Sequence, residues 1–245
     1  MTPLAPMALD LEKLNADFSS RTPQDILRWA IGEFFPAIAV SSSFGHGSAA
    51  LLHMVSRINP AVKVIFVDSG YHFPETLAYR DQLQKLLGLN VVVYRAAMSR
   101  ESFIEKYTDH LYSTQPNLCC EINKVEPMRR ALVSLGAWIS GIRRGQTEER
   151  GEAQWVEHYE GGLYKVNPLL SWNSKDVWEY IKAHKLPVHP LFEKGFKSIG
   201  CWPCTRPVAP GEDERAGRWA EWDKRECGIH TFLKKDEPKQ EETKG

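Results

Sequence analysis

The sequence has neither an excess of charge of one sign nor a long apolar run, and each absence excludes a class of function. Its 245 residues include 31 Lys and Arg against 31 Asp and Glu, so no bulk attraction to nucleic acid or to an anionic membrane surface is expected. No segment is long and apolar enough to cross a bilayer, and "MTPLAPMALDLEKLNADF" lacks a basic stretch followed by an apolar run. We therefore expect a cytoplasmic protein with no nucleic acid or membrane as partner.

Cysteine is scarce, with five in the chain. An odd number of thiols in a reducing compartment is a poor disulfide framework, which favours metal binding or thiol chemistry. Cys119 and Cys120 are adjacent and can hardly close on each other, because the small ring would strain the peptide between them. Cys201 and Cys204 have the C-x-x-C spacing that points two sulfurs at one metal or cluster. Four thiolates from two segments fit zinc or an iron-sulfur cluster; a redox C-x-x-C beside two buried thiols is the alternative.

Strand and helix patterns alternate along the chain, and 42% hydrophobic residues suffice for a full core. Thr22, Gly88 and Asn173 have the character of helix caps or stops. The predicted strands lie in "AIAV" (37–40), "VKVIFVDSG" (62–70), "NVVVYR" (90–95), "AWISGI" (137–142) and "YKVNPLL" (164–170). The pattern predicts an α/β fold, Rossmann-like, with a mostly parallel sheet and helices on both faces.

The composition changes after Cys204. Residues 1–204 are predicted to form a single α/β domain. Residues 205–230, rich in Arg, Gly and Trp, are interpreted as an ordered flap or a mobile arm. The charged composition of residues 231–245 predicts a disordered tail.

The common nucleotide-binding loops are missing, since the chain lacks G-x-x-x-x-G-K-[ST] and G-x-G-x-x-G at these positions. The loop "SSSFGHGS" nevertheless follows the first strand and precedes a helix, where hydroxyls, glycines and the helix dipole favour a phosphate-like anion. The loop "VDSGYHFPET" has the equivalent place after the next strand and is expected to bond ribose or base. A small-residue turn and helix capping are the respective alternatives. The candidate substrate-binding residues are Ser41, Ser42, Ser43, Gly45, Asp68 and Ser69.

Cys227 is the fifth cysteine and does not belong to the set of Cys119, Cys120, Cys201 and Cys204. Lys224, Arg225 and His230 flank it in "KRECGIH", and nearby cations favour a thiolate over a thiol. This is the setting of a nucleophile, although an inert surface cysteine is the alternative.

Basic residues cluster beside predicted strand ends and beside the cysteines. The planar guanidinium group of Arg can donate two parallel hydrogen bonds to a sulfate or phosphate group. The alternative is that these residues are solvated charges on the protein surface. The candidates are Lys124 near the paired cysteines, Arg143 and Arg144 in "GIRRGQTEER", and Arg215 and Arg218 in "GEDERAGRW".

Seven motifs in this order resemble one known family: "SSSFG", "VDSGYHFPET", "CCEINKVEP", "GIRRGQTEER", "SIGCWPCTRPV", "GEDERAGRW" and "ECGIH". The sequence is similar, from about Ser41 to His230, to the thioredoxin-dependent adenylylsulfate (APS) and phosphoadenylylsulfate (PAPS) reductases of assimilatory sulfate reduction. The resemblance implies a fold of the adenine-nucleotide alpha-hydrolase type. It also implies an oxidoreductase that supplies sulfite for cysteine biosynthesis.

The resemblance implies the following roles. One 4Fe-4S cluster would be bound by Cys119, Cys120, Cys201 and Cys204, with Lys124 between the cluster and the sulfate. Cys227 would attack the sulfur of the nucleotide and carry a thiosulfonate, and His230 would lie close by. The four arginines would hold the phosphosulfate. Thioredoxin, or a glutaredoxin-like donor, would release sulfite; a homo-oligomer is also compatible with this family.

The sequence departs from the family pattern in two places. Its loop reads "GHGSAA", without the acidic residues common after the loop glycine in cluster-bearing members, so it offers no carboxylate to repel a 3'-phosphate. We expect adenylylsulfate as substrate, with phosphoadenylylsulfate or use of both as the alternative. Gly145 stands where relatives usually have Glu. Two rival functions are a zinc-binding interaction module and a cluster-bearing tRNA thiolase; the latter would need an S-G-G-x-D-S loop and a basic face, and the sequence shows neither.

Overall fold

One mixed sheet organises residues 9–235, the part of the chain that the computed structural model describes. Within that range six strands lie in the order β3-β2-β1-β4-β6-β5. Every neighbouring pair is parallel except β5 and β6, which are antiparallel. The predicted α/β class is therefore confirmed. The strands are β1 (Ile38–Ser41), β2 (Lys63–Val67), β3 (Asn90–Tyr94), β4 (Ala137–Ile139), β5 (Val156–Tyr159) and β6 (Leu163–Val166).

Helices cover both faces of the sheet, and several begin or end where the sequence predicts. The Thr22 side chain accepts a hydrogen bond from Asp25 N, and Gly88 ends α4 with a φ of 63°. Asn173 caps α10 by accepting from Lys175 N and Asp176 N. The α-helices are α1 (Leu11–Phe18), α2 (Pro23–Phe34), α3 (Ser48–Ile58), α4 (Pro74–Leu87), α5 (Arg100–Tyr107), α6 (Leu111–Thr114), α7 (Pro116–Cys120), α8 (Glu126–Leu132), α9 (Glu148–Gly151) and α10 (Ser174–Ala183).

The core lies on the two sides of the sheet because successive strand residues point to opposite faces. In β1, Ile38 and Val40 join the larger apolar cluster under α2, α3 and α10. Ala39 points the other way, into a smaller cluster that includes Met128 of α8 and Trp138 of β4. This two-sided burial explains why the central strands read as short apolar runs.

A π-helical turn, Glu121–Val125, joins α7 to α8 without a break. The wider turn buries Asn123, Lys124 and Val125, and Asn123 Nδ2 donates to Cys119 O at 3.0 Å. Single π turns inside α-helices are often found at functional sites. The sequence analysis did not predict this element.

Two strand predictions need correction. The strand predicted over 164–170 ends at Val166, and the one predicted over 137–142 ends at Ile139. An antiparallel strand, β5, was not predicted at all. It was hidden because it carries a buried acid, Glu157, whose carboxylate lies 3.7 Å from Lys165 Nζ of β6.

Residues 234 and 235, near the start of the tail that is predicted to be disordered, contact the edge of the sheet. Lys235 pairs with Tyr159 in a β-bridge, and Lys234 O accepts from Glu160 N at 3.1 Å. The Lys235 ammonium lies 2.7 Å from the buried Glu157 carboxylate, which needs a cation to offset its desolvation. The disordered tail stays a prediction, and residues 236–245 of it lie outside the described range.

The segment 205–230 lies against the C-x-x-C loop. Trp219 N donates to Cys204 O at 3.1 Å, and Arg206 N donates to Gly217 O at 2.9 Å. Trp219 is buried in the left-handed region at φ 49°. Gly217 permits this packing, since a Cβ there would overlap the carbonyl oxygen of Arg206. Among residues 9–235, no helix is long and apolar enough to span a membrane.

Candidate active site

A cavity of about 990 Å³ opens where the carboxyl ends of β1, β2 and β4 meet. This edge is where α/β sheets of this kind bind ligands. The structure brings most of the predicted site residues to this one cavity. They are Ser41, Ser42, Ser43, Gly45, Lys124, Arg143, Arg144, Cys201, Arg215, Arg218, Cys227 and His230.

The loop after β1 is held by its own hydroxyls. Ser42 Oγ accepts from Phe44 N at 3.0 Å, and Ser41 Oγ accepts from Trp138 Nε1 at 2.8 Å. Ser43 stays exposed. The following helix, α3, begins after Gly47, which provides no side-chain cap. Ser48 N donates to Gly45 O, and the next N-H groups of the first turn stay available to a ligand.

Asp68 and Ser69 do not line the large cavity. Asp68 pairs with Arg95 at 3.0 Å and accepts from Gly70 N. Ser69 Oγ lies 3.1 Å from Cys201 Sγ, in the pocket of the cysteines. The turn after β2 thus directs both side chains away from the large cavity, which His72 lines. Their contact with ribose or base stays a prediction.

Arg143 and Arg144 follow β4 and reach the cavity from one side. Arg143 is buried, and its Nη1 donates to Ser174 Oγ at 2.9 Å. Desolvation lowers the pKa of Arg143 from its usual value. Arg144 stacks over Trp155, with Cζ 4.4 Å from the ring centroid, and Nε donates to Ala153 O. Both remain cations, since arginine stays charged at any ordinary pH.

Glu226, the residue before Cys227, joins two arginines. Its carboxylate lies 2.7 Å from Arg150 Nε and 3.5 Å from Arg215 Nη2. Burial lowers the pKa of Arg215 to about 10, which the Glu226 charge partly offsets. Arg150 and Glu226 also line the cavity.

Arg218 crosses the face of Trp219, with Cζ 4.3 Å from the ring centroid. The guanidinium fits there because position 200 is a glycine: a Cβ on Gly200 would overlap it. Lys124 and Lys224 also face the Trp219 ring, at 5.9 and 5.7 Å. Three cations thus share one indole, a cation-π arrangement that holds positive charge near the cavity.

Five buried side-chain nitrogens in the described residues have no hydrogen-bond partner, and all five belong to residues that line the cavity. Buried polar groups are normally paired, so orphans gathered in one place indicate a site with capacity for a polar ligand. Arg150 Nε is among them because its N-H does not point at the nearby Glu226 oxygen. The atoms are His72 Nδ1, Arg150 Nε, Arg218 Nε, Trp219 Nε1 and His230 Nδ1.

Cys227 and His230 enter the cavity from the C-terminal arm. Cys227 is a free, partly buried thiol within electrostatic range of Lys124 and Arg215. His230 stacks on Trp138, with centroids 5.4 Å apart and planes 2° from parallel. Burial, together with nearby cations such as Arg150, holds the pKa of His230 well below its usual range. His230 is therefore a neutral ring at physiological pH.

The other four cysteines line a second, small pocket next to the large cavity. Cys201 belongs to both, so the two spaces are contiguous at that residue. Burial raises the pKa of Cys119 to about 12, and burial also raises the pKa of Cys120 and of Cys204. Such thiols become thiolates when a metal displaces the proton.

Lys124 lies between the two spaces and lines both. Burial alone would lower its pKa, but electrostatic attraction to the sulfurs of Cys201, Cys120 and Cys227 outweighs that penalty, so the pKa of Lys124 stands above its usual value. The amine is a buried, permanent cation that faces sulfur on both sides.

The donor set fits an iron-sulfur cluster in number and kind, since it offers four thiols around one pocket. In the described part of the chain, no group of three or more His, Cys, Asp or Glu side chains is arranged to hold a single metal ion.

Three residues that line the cavity are not among the site residues predicted from the sequence: Arg150, Trp219 and Glu226. Arg150 stands at the end of the quoted "GIRRGQTEER", and Glu226 precedes the singled-out Cys227. Their roles depend on a contact between residues 76 positions apart, which no local pattern reveals. Trp219 gave a signal only as part of "GEDERAGRW".

Comparison with known proteins decides the family. The family model for the phosphoadenosine phosphosulfate reductase domain matches residues 37–207. The chain belongs to this family. It is 43% identical over 232 residues to an adenosine 5'-phosphosulfate reductase of Chelativorans sp., which covers 92% of this chain and 94% of the relative. It is 37% identical over 225 residues to the protein of the same name from Salinibacter ruber, covering 90% of this chain and 88% of the relative.

Solved structures of this reductase family and of other nucleotide enzymes share the fold. A phosphoadenylyl-sulfate reductase from Candida auris, in complex with phosphate, superposes with a TM-score of 0.72 at 30% identity, over 83% of this chain and 100% of that one. An FMN adenylyltransferase from Candida glabrata in complex with ATP superposes at 0.55 and 16% identity, over 86% of this chain and 71% of that one. The latter supports the fold alone. The family and the adenine-nucleotide alpha-hydrolase-like fold expected from the motifs are thus confirmed.

Proposed function

We propose that the protein reduces adenosine 5'-phosphosulfate to sulfite and AMP, with thioredoxin or a glutaredoxin-like protein as the electron donor. The observation that carries the proposal is the placement of Cys227, a thiol outside the four-cysteine pocket, in a cavity lined by arginines and by unpartnered buried nitrogens. A nucleophile and anion-binding groups in one space are what transfer of a sulfonate group requires.

The reaction takes place in two stages. The Cys227 thiolate attacks the sulfur of the phosphosulfate, a new S-S bond forms, and the S-O bond breaks so that AMP leaves with its electron pair. A thiolate of the donor dithiol then attacks the Cys227 sulfur and expels sulfite, which leaves a mixed disulfide. The second donor thiol closes its own disulfide and returns Cys227 as a thiolate, so that both electrons come from the donor.

Different residues of the cavity are proposed to bind different parts of the substrate. Arg143, Arg144, Arg215 and Arg218 offer guanidinium groups to the phosphosulfate, and the first turn of α3 offers backbone N-H groups to a phosphate. Ser41 to Ser43 and Gly45 shape the loop at that point. His230, neutral and stacked on Trp138, lies close to the nucleophile and contributes packing and one ring nitrogen rather than a charge.

Cys119, Cys120, Cys201 and Cys204 would hold one 4Fe-4S cluster. When bound, the cluster would supply a fixed charge beside the sulfate. Lys124, buried between the cysteine pocket and the cavity, would couple the two by facing both. Purified protein is then expected to be brown, with broad visible absorption and about four iron atoms per chain, since each cluster contains four; colourless protein with zinc would refute the cluster.

The loop sequence leaves room for a second nucleotide. Residues 45–50 read "GHGSAA" and carry no carboxylate to repel a 3'-phosphate. The proposal is therefore that phosphoadenylylsulfate is also accepted, at lower efficiency than adenylylsulfate. Catalytic efficiencies on both nucleotides test it, and a preference for adenylylsulfate by several orders of magnitude would contradict it.

The C-terminal arm, residues 205–230, is proposed to move during turnover, because the adduct on Cys227 has to be reached by another protein. The reaction belongs to assimilation of sulfate in the cytoplasm. Sulfite release from adenylylsulfate and thioredoxin tests the function, with Cys227→Ser as the variant expected to release none. Sulfite release by Cys227→Ser at the wild-type rate would refute it.

A further inference from the structure

The Glu226 side chain is largely buried and bonded through both of its carboxylate oxygens, although it belongs to the C-terminal arm. Its side chain is only 11% exposed, and both carboxylate oxygens have partners. Oε2 accepts from Arg150 Nη2 at 2.9 Å, and Oε1 accepts from Thr147 Oγ1 at 3.3 Å. Arg215 approaches Oε1 from within the arm, at 3.5 Å.

The partner surface is fixed as well. Arg150 is 11% exposed and donates through Nη1 to Gln146 Oε1. Arg150 and Thr147 lie in the segment that follows β4, which also carries Arg143 and Arg144. The carboxylate next to Cys227 is thus bound to the same segment that presents arginines to the substrate. Because the contact is buried on both sides, water does not screen it as it would a surface pair.

A second carboxylate of the arm makes a weaker contact with this surface. Glu214 accepts from Ser174 Oγ at 2.7 Å and lies 3.9 Å from Arg143 Nη2, but its side chain is 46% exposed. An exposed ion pair at that distance contributes little. Of these two ion pairs between the arm and the preceding chain, the more buried one is adjacent to the nucleophile.

We propose that Glu226 is a positioning residue that docks the Cys227 arm onto Arg150 and Thr147. The inference rests on the proposed function, in which Cys227 attacks the sulfate. Cys227 follows Glu226 directly, and one residue of extended chain spans about 3.3 Å. Because the two residues are so close along the chain, release of the Glu226 carboxylate is expected to shift the Cys227 thiol relative to the sulfur that it attacks. A displacement of about 1 Å at a reacting atom costs up to about 100-fold in rate.

Docking and masking make opposite predictions about binding. If Glu226 only masked Arg150 and Arg215 from the substrate, its neutralisation would free both cations and tighten nucleotide binding. If Glu226 positions Cys227, nucleotide binding changes little and the attack slows. The division between affinity and rate therefore separates the two.

The experiment measures single-turnover sulfonation of Cys227 by intact mass, with adenylylsulfate and no thiol donor, for the holoenzyme and for Glu226→Gln. We expect the saturating rate constant of Glu226→Gln to fall roughly 10- to 100-fold, with the nucleotide Kd within about threefold of wild type. Glu221→Gln is the matched control, since Glu221 is an exposed acid of the same arm, and its rate is expected to be unchanged. In the double variant Arg150→Met/Glu226→Gln, the rate constant is expected to be no lower than that of the slower of the two single variants, because the two side chains act through one contact.

A readout independent of activity accompanies the kinetics. Amide hydrogen exchange in residues 213–230 is expected to be faster in Glu226→Gln than in wild type, with the sheet strands unchanged. A wild-type saturating rate in Glu226→Gln, tighter binding at an unchanged rate, or additive losses in the double variant would each overturn the inference. If wild-type Cys227 itself is never sulfonated, the proposed function fails, and that result is distinct from all of these.

Discussion

A single methyl group at position 200 is expected to move Arg218 out of the cavity. A Cβ on Gly200 would lie 2.6 Å from Arg218 Nη1 and still closer to Nη2 and Cζ. Non-bonded carbon and nitrogen atoms need about 3.5 Å, so the guanidinium has to withdraw by about 1 Å or more. The clash is with the flexible end of a side chain, and Gly200 does not have a positive φ, so the fold itself is expected to tolerate Gly200→Ala within about 1 kcal/mol.

The expected loss is one charge-assisted contact to the nucleotide, about 1.5–3 kcal/mol, or roughly 10- to 150-fold in Kd. Isothermal titration with adenylylsulfate and a thermal melt measure affinity and stability separately. Gly145→Ala is the matched control, because Gly145 also lines the cavity but a Cβ there meets nothing within 4 Å. Nucleotide affinity equal to wild type in Gly200→Ala would show that Arg218 does not hold the substrate.

Three further predictions concern stability. Burial lowers the pKa of His189 to about 4, so between pH 6.5 and 4 the unfolded chain binds a proton that the folded chain does not. The free energy of unfolding therefore decreases as the pH is lowered through this range, by up to about 3 kcal/mol. Urea unfolding of His189→Gln should show a shallower pH dependence, and a pH dependence equal to that of wild type would contradict the assignment. Gly217→Ala is expected to cost about 2–3 kcal/mol by forcing a methyl group against the Arg206 carbonyl, whereas Gly151→Ala, with open space around it, should cost less than 1; equal melting temperatures would count against this packing. Asn173→Ala should lower the free energy of unfolding by about 1 kcal/mol, because the side-chain cap of α10 is lost. Asn173→Asp should retain the cap and the stability, and an equally large loss in Asn173→Asp would contradict the role of Asn173 as a cap.

Local signals in the sequence were sufficient for the parallel half of the sheet. Thr22, Gly88 and Asn173 mark helix ends through chemistry that involves a few neighbouring residues, and the structure confirms all three. Alternation of strands and helices predicts a parallel sheet, because parallel neighbours need a crossover, and the structure shows β3, β2, β1 and β4 as parallel neighbours. The cavity at the carboxyl ends of these strands follows from the same topology.

The parts that escaped prediction depend on contacts between distant residues. β5 carries Glu157, an acid that is buried only because Lys165 and Lys235 lie beside it. The contact of Lys235 with Glu157 also lies in a segment whose composition predicts disorder, so the composition gives no sign of it. Asp68 and Ser69 were assigned to the nucleotide from their place in the loop, but the turn geometry after β2 decides where they point. The contact between Arg150 and Glu226 likewise exists only once the arm has folded back.

Trapping the covalent intermediate shows whether Cys227 is the nucleophile. Holoenzyme is incubated with adenylylsulfate in the absence of any thiol donor, and its intact mass and peptide masses are measured. We expect one added sulfonate group, about 80 Da, located on Cys227 and removed as sulfite when thioredoxin is added. An unmodified Cys227, under conditions in which added thioredoxin still supports sulfite release, would contradict it.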